Sequence, residues 1–159
     1  MTEIIRADYR NPAHATAIVT LMQAYAQDIM GGGEPIAGDI ISVLVERLSA
    51  VPGAVSILAF VDGQPAGLAN CFEGFSTFAA RPLLNIHDLV VASDFRGKGI
   101  ARALMAEAEV VARERGCVKL TLEVLEGNAV AQSLYQSLGY GDYVLDPAMG
   151  RALFWQKTL

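Results

Sequence analysis

One crossover in the second half constrains this chain more than anything else. An apolar run, residues 85–91, leads into a glycine-rich turn at 96–99. An amphipathic helix follows, with Ile100, Leu104, Ala108 and Val111 on one stripe as far as Arg115. Gly116 closes it, and a second apolar run, 118–124, begins. Strand, long helical connection and strand predict a parallel pair inside a sheet. Ahead of it, Val55–Val61 and residues 66–75 flank Asp62-Gly63, a two-residue hairpin turn, so antiparallel pairing is predicted there.

The remaining elements follow from the same signals. Ile4 and Ile5 mark a short first strand. Asn11-Pro12 caps a helix carrying Ile18, Leu21, Met22, Tyr25 and Ile29, stopped by Gly31-Gly32-Gly33. A second helix is predicted over about 36–50. Gly127-Asn128 opens a last helix with Val130, Leu134 and Leu138 on one face, and Gly139 ends it. Residues 140–145 and 152–157 read as two final strands. The fold class is α/β (α+β), a mixed central sheet of about seven strands flanked by about four helices. Residues 1–159 are expected to form a single domain.

Composition excludes several function classes. Hydrophobic residues at 53% against 18% charged rule out a disordered chain. Twelve Lys+Arg against 17 Asp+Glu give a net charge of −5, so no basic face is available for nucleic acid. Cys71 and Cys117 lie in apolar runs and read as reduced core thiols. The first ten residues contain no apolar signal region, and no window is apolar enough to span a membrane. A cytoplasmic location is therefore expected. No metal site is expected, because two scattered histidines, His14 and His87, match no ligand spacing.

The turn itself, Asp94-Phe95-Arg96-Gly97-Lys98-Gly99-Ile100-Ala101, places two glycines and two cations where a strand meets a helix. Glycines admit close backbone approach, and helix N-terminal N–H groups attract anions, so a phosphate or pyrophosphate is the natural ligand. The P-loop pattern fails because Ile100 follows Gly99. The dinucleotide fingerprint fails because Arg102 stands where a third glycine belongs. A plain strand-to-helix turn with solvated charges is the alternative.

Arg96-x-x-Gly99-x-Ala101 resembles the R/Q-x-x-G-x-G/A signature of the GNAT superfamily of acetyl-CoA-dependent N-acetyltransferases. Asp88-Leu89-Val90-Val91 is similar to that family's fourth strand. A second block also resembles the family: Leu122-Glu123-Val124, then Asn128-x-x-Ala131-x-x-Leu134-Tyr135-x-x-Leu138-Gly139-Tyr140. The resemblance implies a GNAT-like sheet whose parallel strands 4 and 5 splay apart. It implies acetyl-CoA as cosubstrate, its pyrophosphate held by N–H groups over Arg96, Gly97, Lys98, Gly99, Ile100 and Ala101. Its pantetheine arm would pair with the strand at Leu89, Val90 and Val91. The acceptor would be a small-molecule or peptide amine, and a homodimer is compatible with such a chain.

Acetyl transfer to an amine needs a neutral nucleophile and a proton for the departing thiolate. The resemblance implies Tyr135 as general acid, and a role for Asn128 in orienting the cofactor arm beside its helix-capping one. Glu123 lies on the polar side of a central strand. It matches the glutamate of ribosomal-protein alanine N-acetyltransferases, a base candidate acting through water, with a structural carboxylate as the alternative. His87 matches one histidine of the pair in arylalkylamine N-acetyltransferases, with Asn85 at the other position. Glu73 is a weaker base candidate. Asp28, Glu34 and Asp39 beside the triple glycine, with Phe72, Phe75 and Phe78, suggest an acidic, aromatic mouth for a cationic amine. Two rival readings are an acyl-CoA sensor without turnover and a transferase using another acyl-CoA.

Overall fold

Asn11 Oδ1 accepts the N–H of Ala13 at 2.9 Å, and Pro12 takes the first helical position, so helix α1 runs Pro12–Gln27. The computed structural model describes all residues, 1–159. It divides into two compact units, Met1–Leu122 and Glu123–Leu159.

In the first unit, five strands lie in sequence order: β1 Thr2–Arg6, β2 Val55–Val61, β3 Gln64–Ser76, β4 Arg81–Val91 and β5 Leu120–Leu122. The first four pair antiparallel. Asp62 and Gly63 both take positive φ, 48° and 78°, which makes the tight β2–β3 turn that Asp-Gly predicts. Strands β4 and β5 pair parallel through the crossover helix α4, Ile100–Glu114.

Each sheet face buries its own helix. Leu58, Leu68 and Val90 pack with Ala17, Ile18 and Leu21 of α1. The opposite face buries Ile57, Ala59, Ala69, Cys71, Leu84 and Ile86, toward the apolar stripe of α4 that includes Leu104 and Ala108. Gly67 lets α4 approach: a methyl there would lie 2.9 Å from Ile100 Cγ2 and 3.0 Å from Leu104 Cδ1.

A β-bulge interrupts β4. Asn70 pairs with Asp88, but the next residue of β3, Cys71, pairs with Ile86, which leaves His87 as the extra residue. Asn85 and Asp88 therefore share the α1 face, three positions apart instead of two.

The structure corrects the expected inventory: there are five strands and five α-helices, not about seven and four. The helix expected over 36–50 is broken into α2, Gly38–Ile41, and α3, Leu44–Ser49. The break falls where the N–H of β-branched Val43 bonds three residues back, to Ile40 O, with φ at −108° and ψ at −2°. The strand expected over 118–124 shrinks to three residues, the length of its ladder with β4. In the second unit, α5 spans Ala129–Ser137. The two final strands are absent. Residues 140–145 and 152–157 share one backbone bond, Ala152 N–H to Tyr143 O at 2.9 Å, while Leu145, Leu153, Phe154 and Trp155 stay exposed. Alternating pattern describes a fit to a half-buried pleated surface, and without a partner strand it forms no ladder.

Candidate active site

After β4, a 3₁₀ turn at Ser93–Phe95 leads to Arg96, whose N–H already donates to Ser93 O at 3.3 Å. Gly97 and Gly99 then adopt φ of 75° and 79°, the left-handed region where a side chain is strained. Gly99 is the N-cap of α4, and no side chain caps that helix. The first-turn N–H groups therefore face outward from a turn in which any Cβ on Gly97 or Gly99 would stand in open space. Helix N-terminus, missing cap and alternating backbone make a cradle suited to a phosphate.

The cations of the turn are restrained. Lys98 Nζ donates to Asp94 O at 3.1 Å and lies 5.2 Å from the centre of the Phe95 ring. Arg96 Nε donates to Val91 O at 3.2 Å, and its Nη2 to Asp28 Oδ2 at 2.8 Å. The Arg96 side chain thus ties the turn to the C-cap of α1. The N–H of Met30, then Arg96, hold the Asp28 carboxyl below the usual carboxylate range. Ile100 is buried under β3, anchoring the helix start, and Ala101 is half-buried.

Strand β4 approaches the same turn. Its ladder with β5 ends at the pair Ile86–Leu122, so Leu89, Val90 and Val91 lie beyond the last β5 pair. Val90 buries its side chain against α1, leaving only its backbone for a ligand, whereas Leu89 and Val91 are half-buried. These residues fit an extended, amide-bearing arm ending in a phosphate: edge backbone along β4, then the N–H cradle.

His87 is exposed, its ring edge-on to Phe72 with centroids 5.5 Å apart. Asp88 is half-buried and accepts Asn70 Nδ2–H at 3.0 Å. Sequence reasoning gave Asp88 no role and missed the chain behind it. Asn70 Oδ1 accepts Ser56 Oγ–H at 2.6 Å, and Ser56 Oγ pairs with Tyr9 Oη at 3.0 Å. The available signal was two polar residues, Ser56 and Asn70, inside otherwise apolar strands. Glu73 faces Arg115 Nη1 at 3.4 Å and is occupied as a structural partner. Phe75, at the far end of the β3–β4 ladder opposite Pro82, and Phe78, beyond it, are both exposed, whereas Phe72 packs edge-on to His87.

The second unit carries the other candidates. Glu123 is exposed at its first position. Asn128 caps α5 as expected, accepting Ala131 N–H at 3.2 Å, while Gln132 Nε2 donates to Leu125 O and Glu126 O and closes the preceding loop. Tyr135 is half-buried, its ring 6.2 Å from that of Tyr140. The helix ends in a Schellman arrangement: Tyr140 N–H bonds Tyr135 O and Gly139 N–H bonds Gln136 O, both at 3.0 Å. No group of three or more His, Cys, Asp or Glu is gathered as a metal site, and no helix is long and apolar enough to cross a membrane.

Comparison with known proteins agrees with this geometry. Residues 40–140 match the model of the acetyltransferase (GNAT) family. A thialysine N-epsilon-acetyltransferase of Caenorhabditis elegans is 28% identical over 135 residues, covering 81% of this chain and 78% of that protein. A streptothricin acetyltransferase of Streptomyces lavendulae is 43% identical over 88 residues, 55% of this chain, which spans less than half (44%) of that relative's length. The solved structure of an aminoglycoside N-acetyltransferase in complex with CoA aligns with a TM-score of 0.75 at 20% identity, covering 100% of this chain and 96% of that one.

Proposed function

The chain belongs to the acetyltransferase (GNAT) family and is an acyltransferase, and from that premise we propose that it moves an acetyl group from acetyl-CoA to a primary amine. The acceptor is a small molecule or a peptide N-terminus, and it attacks directly in a ternary complex. The observation that carries this reading is the Gly97–Gly99 turn, which delivers an uncapped helix N-terminus beside the unladdered end of β4.

When bound, acetyl-CoA supplies an activated acetyl thioester. The chain supplies the rest. N–H groups from Gly97 to Ala101 hold the pyrophosphate, with Arg96 as the strut that keeps the turn in place. The backbone of Leu89 and Val91 orients the arm. Glu123 or His87 takes the proton the amine must lose, and the Tyr135 hydroxyl gives one to the departing sulfur. Asn128 fixes the start of the helix that carries Tyr135. Residues 1–159 act as one functional domain. A homodimer belongs to the same proposal, supported by the adjacent exposed side chains of Leu153, Phe154 and Trp155.

The test is release of free thiol from acetyl-CoA with a panel of primary amines and peptide N-termini, run beside longer acyl-CoA donors. Amine-dependent thiol release with acetyl-CoA supports the reading. Tight CoA binding without release from any donor makes the protein a sensor. Preference for a longer acyl chain replaces acetyl by that group.

A further inference from the structure

A buried polar row crosses three strands on the α1 face of the sheet. It runs from Tyr9 through Ser56 on β2 and Asn70 on β3 to Asp88 on β4, over contacts of 3.0, 2.6 and 3.0 Å. Ser56 is 1% exposed and Asn70 2%. Burying two such groups costs free energy unless each is bonded, and here each is. The direction of the row is set. Ser56 donates to Asn70 Oδ1, which turns the Asn70 amide nitrogen toward Asp88 Oδ2. Asn70 Nδ2 also lies 3.4 Å from Met22 Sδ of α1, which limits its rotation.

The row ends on a carboxylate without a counter-charge. Asp28, the nearby acid at the end of α1, is neutralised by Arg96. Asp88 is half-buried, its partner is a neutral amide, and no cation pairs with it. A partly desolvated carboxylate in that state favours a cation. Tyr25, in the last turn of α1, faces the same place. Burial, then the charges of Asp88 and Asp28, push its hydroxyl above the ordinary phenol range. Asp88 also stands two residues past the last β4–β5 pair, at the bulge, and one residue before Leu89.

We propose that Asp88 is the specificity-determining residue that receives the acceptor as an ammonium ion, through the carboxylate oxygen that Asn70 leaves free, with Asn70 and Ser56 as positioning residues. The inference rests on the amine-acetylation reading and names the residue that selects charged over neutral acceptors. The ammonium docks, then gives up its proton to another group before attack. Asp88 forms no covalent bond.

The experiment compares n-butylammonium with n-butanol as probes of the full chain, followed by two-dimensional amide spectra, in wild type and Asp88→Asn. In parallel, KM for amine and for acetyl-CoA are measured. Butylammonium should shift the Asn70 and Asp88 amides, and butanol should not. Asp88→Asn should weaken that titration and raise the amine KM by about tenfold or more, the loss of one charge-assisted hydrogen bond. The acetyl-CoA KM and the melting temperature should stay put. Asn70→Ser, which withdraws the amide donor, should move the amine KM in the same direction by less. Butylammonium binding without acetylation of any amine would sink the transferase reading and leave the anchor standing. Unchanged amine KM and titration in Asp88→Asn, or a parallel rise in both KM values, overturns the anchor. If Asp88→Asn does not fold, equal responses of wild type to ammonium and alcohol overturn it alone.

Discussion

Gly67→Ala tests how the core sets the cofactor cradle. The added methyl would stand 2.9 Å from Ile100 Cγ2, 3.0 Å from Leu104 Cδ1 and 3.1 Å from Val90 O. Two of these neighbours cannot swing away. Val90 O is backbone, and Ile100 is a β-branched side chain, 3% exposed, in the first turn of α4. Ordinary carbon contacts need about 3.5–4.0 Å, so α4 must lift by about half an ångström at its start. Overpacking of this kind costs about 1–3 kcal/mol, which outweighs the gain of roughly 0.5–1 kcal/mol from removing a glycine inside a strand. Net destabilisation of about 0.5–2 kcal/mol should lower the melting temperature by several degrees in a domain of this size. Because the lifted residues follow Gly99 directly, acetyl-CoA affinity should fall together with stability. Calorimetric melting and CoA titration read both quantities. Ile100→Ala, which removes the clashing methyl, should give a double mutant less destabilised than the sum of the two singles. A Gly67→Ala protein as stable as wild type, with unchanged CoA affinity, would refute the claim that this contact sets the helix start.

Three further outcomes are expected. Gly99→Glu places a side chain at a left-handed position and a negative charge in the cradle, so acetyl-CoA heat on calorimetric titration should vanish while circular dichroism stays folded. Tyr135→Phe keeps the ring packed beside Tyr140, so melting should barely move, whereas turnover with an amine should drop by about 10²–10⁴ if the hydroxyl is the acid; full activity with chemistry rate-limiting would assign that proton to water. Burial pushes the Cys71 thiol up to about 12, so the fold holds it protonated while the unfolded chain ionises near 9. Its contribution to stability is complete below pH 9 and lost as pH rises toward 12, and urea midpoints should fall more steeply there for wild type than for Cys71→Ala.

Much of the molecule was legible because its signals are local. Asp62-Gly63, the Asn11 and Asn128 caps and the Gly97–Gly99 turn each specify a backbone geometry within a few residues, and each is found as read. What depends on distant partners was not. Alternation puts Leu84, Ile86, Asp88 and Val90 on one face, yet the bulge sends the first pair toward α4 and the second toward α1. Arg96 was read for its place in the N–H turn, and nothing local announces that its side chain bonds Asp28, 68 positions away. The row from Tyr9 to Asp88 joins residues from a loop and three strands, and only pairing register brings them together. Residues 140–145 and 152–157 have strand composition, but composition does not supply a neighbouring edge.

The single extra residue in β4 works like an insertion that shifts a reading frame. Upstream of His87 the strand is phased one way, and downstream every side chain is phased the other way. A substitution at His87 leaves that phase intact, so most replacements there should be mild for folding. Deletion of the same residue would remove the bulge and restore regular alternation: Ile86 would still face Cys71 and Asp88 would still face Asn70, so Val90 would keep its place in the α1 core and only the local kink of the strand would be lost. In genetic terms, the fold should tolerate in-frame loss at position 87 better than at a paired neighbour such as Leu89, whose loss would turn Val90 off the α1 face, a contrast that a scan of single-codon deletions along residues 81–91 would display directly.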